Sequence, residues 1–301
     1  MNRLLRVLVP SCVMLAIVAL CSCAGRVVTA ESTIPSVATN VPLVSTSASP
    51  ALSKLDLALL EARQRQVATP QQLAERIQQC EDGIHFSGTP LTDLAPLGAL
   101  ESDAFAQLVA EPAWQTAVIA LLPDRVRPGA QANLSAGSQI ASLNGQRAAL
   151  PHWAVQAPAS AADLLAYYHE AEQAYGIPWQ YLAAVNFIET QMGRIRGLST
   201  AGAQGPMQFL PAVWVYYSSG DINNPRDAIL AAGRFLMVHG GPQDMPRALY
   251  RYNPSNEYVN AVTLYAQQMQ ADVRAFYAYY HWQVYVSTTS GLALLPEGFS
   301  N

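Results

Sequence analysis

Glu189 is the residue of this sequence whose type and surroundings best suit proton transfer. It stands near the end of a predicted helix, on the same face as Leu182 and Val185. Burial and the negative end of the helix dipole both disfavour its charged form, so both raise its pKa. A carboxylic acid that stays protonated near neutral pH can donate a proton to a leaving oxygen. The alternative is a helix-end glutamate that is exposed or is paired with Arg194 or Arg196.

A loop rich in glycine and small residues follows Glu189. Gly202 and Gly205 would let a ligand approach the backbone closely, and Met207 and Gln208 come directly after them. An amide beside apolar side chains suits a sugar, which offers hydroxyls, an N-acetyl amide and apolar ring faces. Taken alone, this loop is also compatible with an ordinary turn.

Tyr252 and Asn253 form a second polar element further along the chain. A tyrosine hydroxyl can donate a hydrogen bond, and an asparagine amide can both donate and accept one. Because Asn253 precedes a proline, a simple turn is the alternative interpretation.

These elements together resemble the signature of lytic transglycosylases. Glu189-Thr190 and Gly193, followed by STAGAQGPMQFLP at 199–211, are similar to that family's helix-borne Glu-Ser or Glu-Thr and its G-A-x-G-x-M-Q-x-x-P loop. Tyr252-Asn253 resembles the family's Tyr-Asn element. The stretches 220–222, 224–229 and 239–241 resemble the membrane-bound type B branch, and the likeness covers about 164–269. The mature body also resembles lipoprotein transglycosylases of high-GC Gram-positive bacteria.

Helical patterns dominate the sequence and predict a mainly α fold, with a helical region before the catalytic domain and a short extended arm at its end. The resemblance implies that the catalytic domain is lysozyme-like. It implies cleavage of the β-1,4 bond between N-acetylmuramic acid and N-acetylglucosamine in peptidoglycan, without a cofactor. Glu189 would protonate the glycosidic oxygen and then, as a carboxylate, accept the proton of the C6 hydroxyl, which closes onto C1 as a 1,6-anhydro ring. Ser199 would orient Glu189. The residues implied to line the sugar subsites are Met207, Gln208, Tyr252 and Asn253.

A single catalytic carboxylate fits this chemistry, because the substrate's own hydroxyl replaces the second carboxylate that most glycosidases use. The nearest other acids are Asp221, Asp227 and Glu257. Asp227 is typical of the first turn of a helix. The stretch around Asp221 is shorter than the one that the type B branch has there, so the resemblance does not extend to a metal-binding loop. Two alternatives stay open: a hydrolytic muramidase, in which water replaces the C6 hydroxyl, and a non-catalytic peptidoglycan-binding lipoprotein.

The helices that must position these residues are marked by capping signals. Ser160 and Asp163 form a capping box that opens a helix to Tyr175, and Gly176 suits the residue after it. Pro178 suits the first position of the next helix, which the pattern extends to Met192. Further helices are predicted over 227–238 and 257–280, and a hairpin or extended arm over 283–296.

The first half of the chain is also predicted to be helical. Thr69 and Pro70 suit a helix start, with Leu73, Ile77 and Cys80 on one apolar stripe. One or two helices are expected over 102–122, and 149–160 is expected to cross the surface. The predicted organisation is a signal peptide (1–22), a Ser/Thr/Pro-rich tether (23–51), a helical region (52–159) and the catalytic domain (160–301).

Composition excludes some function classes. The 301 residues carry a formal net charge of −4 and no Lys/Arg cluster, so no nucleic-acid partner is expected. The five histidines are scattered without ligand spacing, so no zinc site is expected. The aromatic residues over 276–282 are interpreted as core, with stacking on sugar rings as the alternative. Cys80, the one cysteine of the predicted body, is interpreted as a buried apolar residue.

The N-terminus resembles a bacterial lipoprotein signal. Arg3 and Arg6 precede an apolar run, and LCSCAG follows at 20–25. Ser22 is the small residue before Cys23, which would be lipidated and anchor the protein to the outer face of the cell membrane. The alternative is an ordinary secretory signal that is cleaved nearby.

Replacing Cys23 with Ala removes the proposed acyl acceptor, and we expect the protein to leave the membrane fraction because its lipid anchor is lost. Cell fractionation with immunoblotting measures this change. Cys21→Ala is the matched control and should stay on the membrane, because Leu20 is a poor residue before a lipidated cysteine. Membrane retention of the Cys23 variant would contradict lipidation.

Overall fold

The structure is a computed structural model that describes residues 67–86 and 88–301. Within these residues the chain forms eleven α-helices and four short strands, which confirms the predicted mainly α class. The helices are α1 (Pro70–His85), α2 (Leu94–Ala110), α3 (Pro112–Leu121), α4 (Arg127–Asn144), α5 (Ala161–Tyr175), α6 (Trp179–Thr190), α7 (Pro211–Trp214), α8 (Pro225–Val238), α9 (Met245–Tyr252), α10 (Asn256–Ala271) and α11 (Val273–Tyr280). The strands are β1 (Ala154–Val155), β2 (Ile195–Arg196), β3 (Val284–Thr288) and β4 (Gly291–Leu295).

The predicted signal peptide, the tether and the lipidation site at Cys23 lie outside the described residues, as does the start of the helical region at 52. Among the described helices, none combines the length and the apolar character that a membrane span requires.

Several predicted helix ends are confirmed. The Thr69 side chain accepts a hydrogen bond from the backbone N–H of Gln72, and Pro70 opens α1. The Ser160 hydroxyl accepts from the N–H of Asp163 at 3.0 Å, and Gly176, with a φ of 71°, caps the end of α5 directly after Tyr175. These signals are local, so the sequence alone could place them.

Other helix ends differ from the prediction. Pro178 is the residue before α6, not its first residue, and α6 ends at Thr190, two residues before Met192. The stretch expected to hold one or two helices over 102–122 holds two, α2 and α3, but the first of them begins earlier, at Leu94. The long helix expected over 257–280 is divided at Asp272, whose side chain caps α11 by accepting from the N–H of Arg274 at 2.9 Å.

The helical region before residue 160 and the region after it share one hydrophobic core. Helix α4 packs on α10, and α5 packs on α8. The Tyr279 hydroxyl donates to Oδ1 of Asn133 at 2.6 Å, and the indole N–H of Trp282 donates to the Glu101 carboxyl at 2.7 Å. The two regions are therefore packed together as one body around the site.

A β-hairpin closes the chain, as the strand-like composition predicted. Strands β3 and β4 pair antiparallel, with Val284 opposite Leu295. The segment expected to cross the surface is in part buried: β1 pairs antiparallel with β2, and the buried Val155 packs with the hairpin. This small cluster fixes the segment after α4 beside the site.

Candidate active site

The backbone has an unusual conformation directly after α6, the helix that carries the candidate acid Glu189. Gln191, Met192 and Gly193 have consecutive positive φ values of 52°, 61° and 86°, a conformation that is costly for residues other than glycine. Buried side chains hold this turn: Oγ1 of Thr190 accepts from the N–H of Gly193 at 3.0 Å. The strained turn ends the helix directly after Glu189 and sends the chain into the small-residue loop.

Two buried hydrogen bonds fasten this loop to α6. The carbonyl of Pro206 accepts from Oγ1 of Thr190 at 2.6 Å and from Nδ2 of Asn186 at 2.9 Å. Both donor side chains are fully buried, so water cannot replace the Pro206 carbonyl as their partner, and breaking either hydrogen bond would be costly. The loop is therefore held in register with the helix that carries Glu189.

The loop is also built to hold its own shape. Oγ of Ser199 accepts from the N–H groups of Ala201 and Ala203 at 3.2 and 3.0 Å. Gly205 has a φ of 74°, and a Cβ there would collide with the carbonyl oxygen of Ile222. Nε2 of Gln208 donates to the carbonyl of Gly205 at 3.0 Å. Ser199 thus shapes the loop, whereas the resemblance implied that it orients Glu189.

Glu189 is partly buried and is held by a tyrosine. Its Oε1 accepts a hydrogen bond from the Tyr258 hydroxyl at 2.8 Å. Burial raises the pKa of Glu189 to about 7, and the hydrogen bond from Tyr258 opposes this rise because it stabilises the carboxylate. Arg194 pairs with Glu297, and Arg196 donates to the carbonyl of Asn223 at 3.4 Å, so the alternative of an arginine-paired Glu189 is not what forms.

Tyr258 is a residue of the candidate site that the sequence did not reveal. It lies in the first turn of α10, where its N–H is capped by Ser255 at 3.1 Å. Its ring lies parallel to that of Tyr252, with 6.4 Å between centroids and 4° between planes. A helix-opening tyrosine is common, and only the fold brings it to Glu189, so no local pattern could have identified it.

The predicted subsite residues divide into two groups. Ser199, Gln208 and Asn253 line, with Glu189, a cleft of about 980 Å³. Met207 and Tyr252 do not line it: both are buried in the core, and the Tyr252 hydroxyl donates to the carbonyl of Met207 at 2.5 Å. Their apolar surface is needed for packing, so these two residues support the site from behind.

The cleft extends beyond the loop to the N-terminal helices and the hairpin. Its further lining comes from α2, α4, the segment after α4, and β3 with β4. Among the described residues that line it, the charged ones are Glu111, Arg147 and Glu189. The volume is at the upper end of the range for small-ligand pockets.

The other acids have structural positions. Asp227 accepts from the N–H of Asp221 at 2.9 Å at the start of α8, and Asp221 accepts from the N–H of Asn223 at 2.9 Å within a turn. Within the described chain, no group of three His, Cys, Asp or Glu side chains is arranged to hold a metal ion. Burial raises the pKa of the Cys80 thiol, and Cys80 packs in the core as expected.

The aromatic residues near the end of α11 confirm the interpretation as core. Phe276 and Tyr279 are buried, and Phe187 of α6 stacks on Tyr279 with centroids 5.2 Å apart. Trp282 is also largely buried, although its edge reaches the cleft. These rings pack against the core side of α6, the helix that carries Glu189.

Fold and site define a helical protein with a deep cleft and a desolvated carboxylic acid on its wall. No protein-family model, no curated protein and no solved structure matched the chain in comparisons with known proteins.

The Glu189 carboxyl should titrate with a pKa of about 7, and Tyr258→Phe should move that pKa higher because the carboxylate loses a hydrogen bond. Carbon-13 NMR of carboxyl-labelled glutamate measures both values, with the resonance assigned by its loss in Glu189→Gln. A pKa near the free value of about 4.3 would contradict the desolvation of this acid.

Glu189→Gln should make the protein more stable at pH 8. An acid whose pKa rises from 4.5 to about 7 on folding lowers the free energy of unfolding as pH increases through that window. The gain should be about 3 kcal/mol at pH 8 and should vanish near pH 4. Urea unfolding at both pH values measures it. Glu257→Gln is the control, because the pKa of Glu257 is lowered by its backbone and Ser255 hydrogen bonds, so no gain is expected.

Proposed function

We propose that the protein is a lytic transglycosylase that cleaves the β-1,4 bond between N-acetylmuramic acid and N-acetylglucosamine in peptidoglycan. The observation that carries the proposal is Glu189, a desolvated acid with a pKa of about 7 on the wall of a large cleft. A pKa near the working pH suits a group that must both donate and accept a proton.

The proposed reaction uses this one group twice. Protonated Glu189 donates its proton to the glycosidic oxygen as the bond from that oxygen to C1 of the muramoyl residue breaks. The resulting carboxylate accepts the proton of the C6 hydroxyl, whose oxygen forms the new bond to C1. The product is a 1,6-anhydromuramoyl end, water is not consumed, and Glu189 is protonated again. Tyr258 stabilises the carboxylate between the two steps through its hydrogen bond.

The lining of the cleft supports a sugar ligand. The side chains of Gln208 and Asn253 offer amide donors and acceptors in the cleft that Glu189 lines, and apolar residues of α4 and the hairpin line another part of it. Amides can pair with hydroxyls and N-acetyl groups, while apolar side chains pack against sugar ring faces. The proposal includes a lysozyme-like arrangement of the helices and attachment to the outer face of the cell membrane through Cys23, where peptidoglycan lies.

Glu111 makes the proposal testable against hydrolysis. It is the other acid among the described lining residues, and it lies exposed between α2 and α3. A hydrolytic glycosidase of the two-carboxylate type needs a second acid across the scissile bond. The proposed mechanism gives Glu111 no role, so replacing Glu111 distinguishes lytic cleavage from two-carboxylate hydrolysis.

Glu189→Gln should lower kcat at least about 100-fold, since the general acid and base are lost, whereas Glu111→Gln should keep most of the wild-type rate. Digestion of purified peptidoglycan followed by mass spectrometry measures rate and product together. We expect wild-type products with anhydromuramoyl ends. Reducing ends would indicate a muramidase, and glycan binding without any turnover would indicate a binding protein.

A further inference from the structure

The cleft that contains Glu189 also contains one cation, Arg147, among the described residues that line it. Its backbone is fixed to the edge of the hairpin. The N–H of Arg147 donates to the carbonyl of Ser287 at 3.0 Å, and its carbonyl accepts from the N–H of Thr289 at 2.9 Å. The segment after α4 therefore presents this side chain to the cleft from a fixed base.

The guanidinium of Arg147 is held against an aromatic ring. It lies over the ring of Trp153, with 5.0 Å from its central carbon to the ring centroid. The ring itself is fixed, because Gly197 packs so closely that a Cβ there would collide with Cδ1 of Trp153. A cation–π contact of this kind positions an arginine while leaving its N–H groups able to donate.

Those N–H groups have no partner within the described chain. The guanidinium forms neither an ion pair nor a hydrogen bond there, although Glu111 lines the same cleft. Arg194 is the contrasting case: it also lies over an aromatic ring, that of Tyr280, but it pairs with Glu297 and donates to the Tyr280 carbonyl at 2.8 Å. Arg194 thus has a structural role, whereas the guanidinium of Arg147 is held in place with its N–H groups free to bind a ligand.

We propose that Arg147, held over the ring of Trp153, is a carboxylate-binding subsite that recognises the anionic groups attached to the muramoyl residues of the glycan. The planar guanidinium fork matches a carboxylate in two parallel hydrogen bonds. The sugar rings, their hydroxyls and their N-acetyl groups are neutral, so they give no reason for a fixed cation in the cleft. This inference rests on the proposed function, since it names the group on the same substrate that Arg147 would bind.

The carboxylate has two possible sources on this substrate. In peptide-bearing glycan the muramoyl lactyl group is amide-linked, and the carboxylates belong to the stem peptide. In glycan stripped of peptides by an amidase, the lactyl carboxylate itself is free. The subsite selects anionic glycan in either case, and the two substrates show which carboxylate it reaches.

The test compares Arg147→Gln and Arg147→Lys with the wild-type protein on both glycans. Gln removes the charge and the fork, while Lys keeps the charge without the fork. Arg125→Gln is the matched control: it also loses one positive charge, but Arg125 is an exposed partner of Asp82 and does not line the cleft. Circular dichroism and thermal unfolding establish that each variant is folded.

We expect Arg147→Gln to raise KM about 10-fold, with kcat unchanged, on the glycan whose carboxylate reaches the fork. The KM of Arg147→Lys should lie between those of the wild-type protein and Arg147→Gln, and the KM of Arg125→Gln should equal that of the wild-type protein. Calorimetric binding of a neutral N-acetylglucosamine oligomer should be the same for all variants. Equal KM values for wild type and Arg147→Gln on both glycans would overturn the subsite while leaving the proposed function intact.

A binding measurement keeps the subsite testable if no glycan is cleaved. Soluble peptide-bearing and peptide-free glycan fragments are titrated into Glu189→Gln and into Glu189→Gln with Arg147→Gln. A weaker affinity of the double variant, with a reduced dependence on salt, supports the carboxylate subsite even where the lytic activity is absent. Equal affinity and equal salt dependence overturn it.

Discussion

The double hydrogen bond to the carbonyl of Pro206 is the interaction on which the site depends. Thr190 and Asn186 both donate to this one oxygen, and both are buried. Because the two donors lie one turn apart on α6, they fix the loop in position and direction relative to Glu189. Without them the strained turn after α6 would lack its anchor, and a buried carbonyl would be left unpaired at a cost of about 1–3 kcal/mol.

The proton affinity of Glu189 follows from a balance that this arrangement creates. Burial against the core favours the protonated acid, and the Tyr258 hydroxyl favours the carboxylate. Tyr258 can perform this role because its ring is stacked beside Tyr252, which is in turn tied to the Met207 carbonyl. Of the residues that the family resemblance placed at sugar subsites, Met207 and Tyr252 therefore act one layer deeper, on the residue that tunes the acid.

The features of this structure that depend only on residues close together in the chain could be predicted from the sequence. The caps at Thr69 and Ser160, the hairpin and the apolar face around Glu189 all arise from spacings of a few residues. The sequence could not give the hydrogen bond from Tyr258, the burial of Met207 or the common core, because each depends on contacts between distant segments. The break at Asp272 was missed because a capping aspartate resembles any surface acid within an otherwise periodic stretch.

The common core has a consequence for the way such a chain can evolve. The hydrogen bonds from Tyr279 to Asn133 and from Trp282 to Glu101 cross residue 160, and α4 covers α10. A recombination event that moved the segment after residue 160 into another gene would strip α10 of its apolar cover and leave Asn133 and Glu101 behind. The two halves must therefore be inherited together, and variation in what the cleft binds must arise by substitution along the cleft, not by exchange of modules.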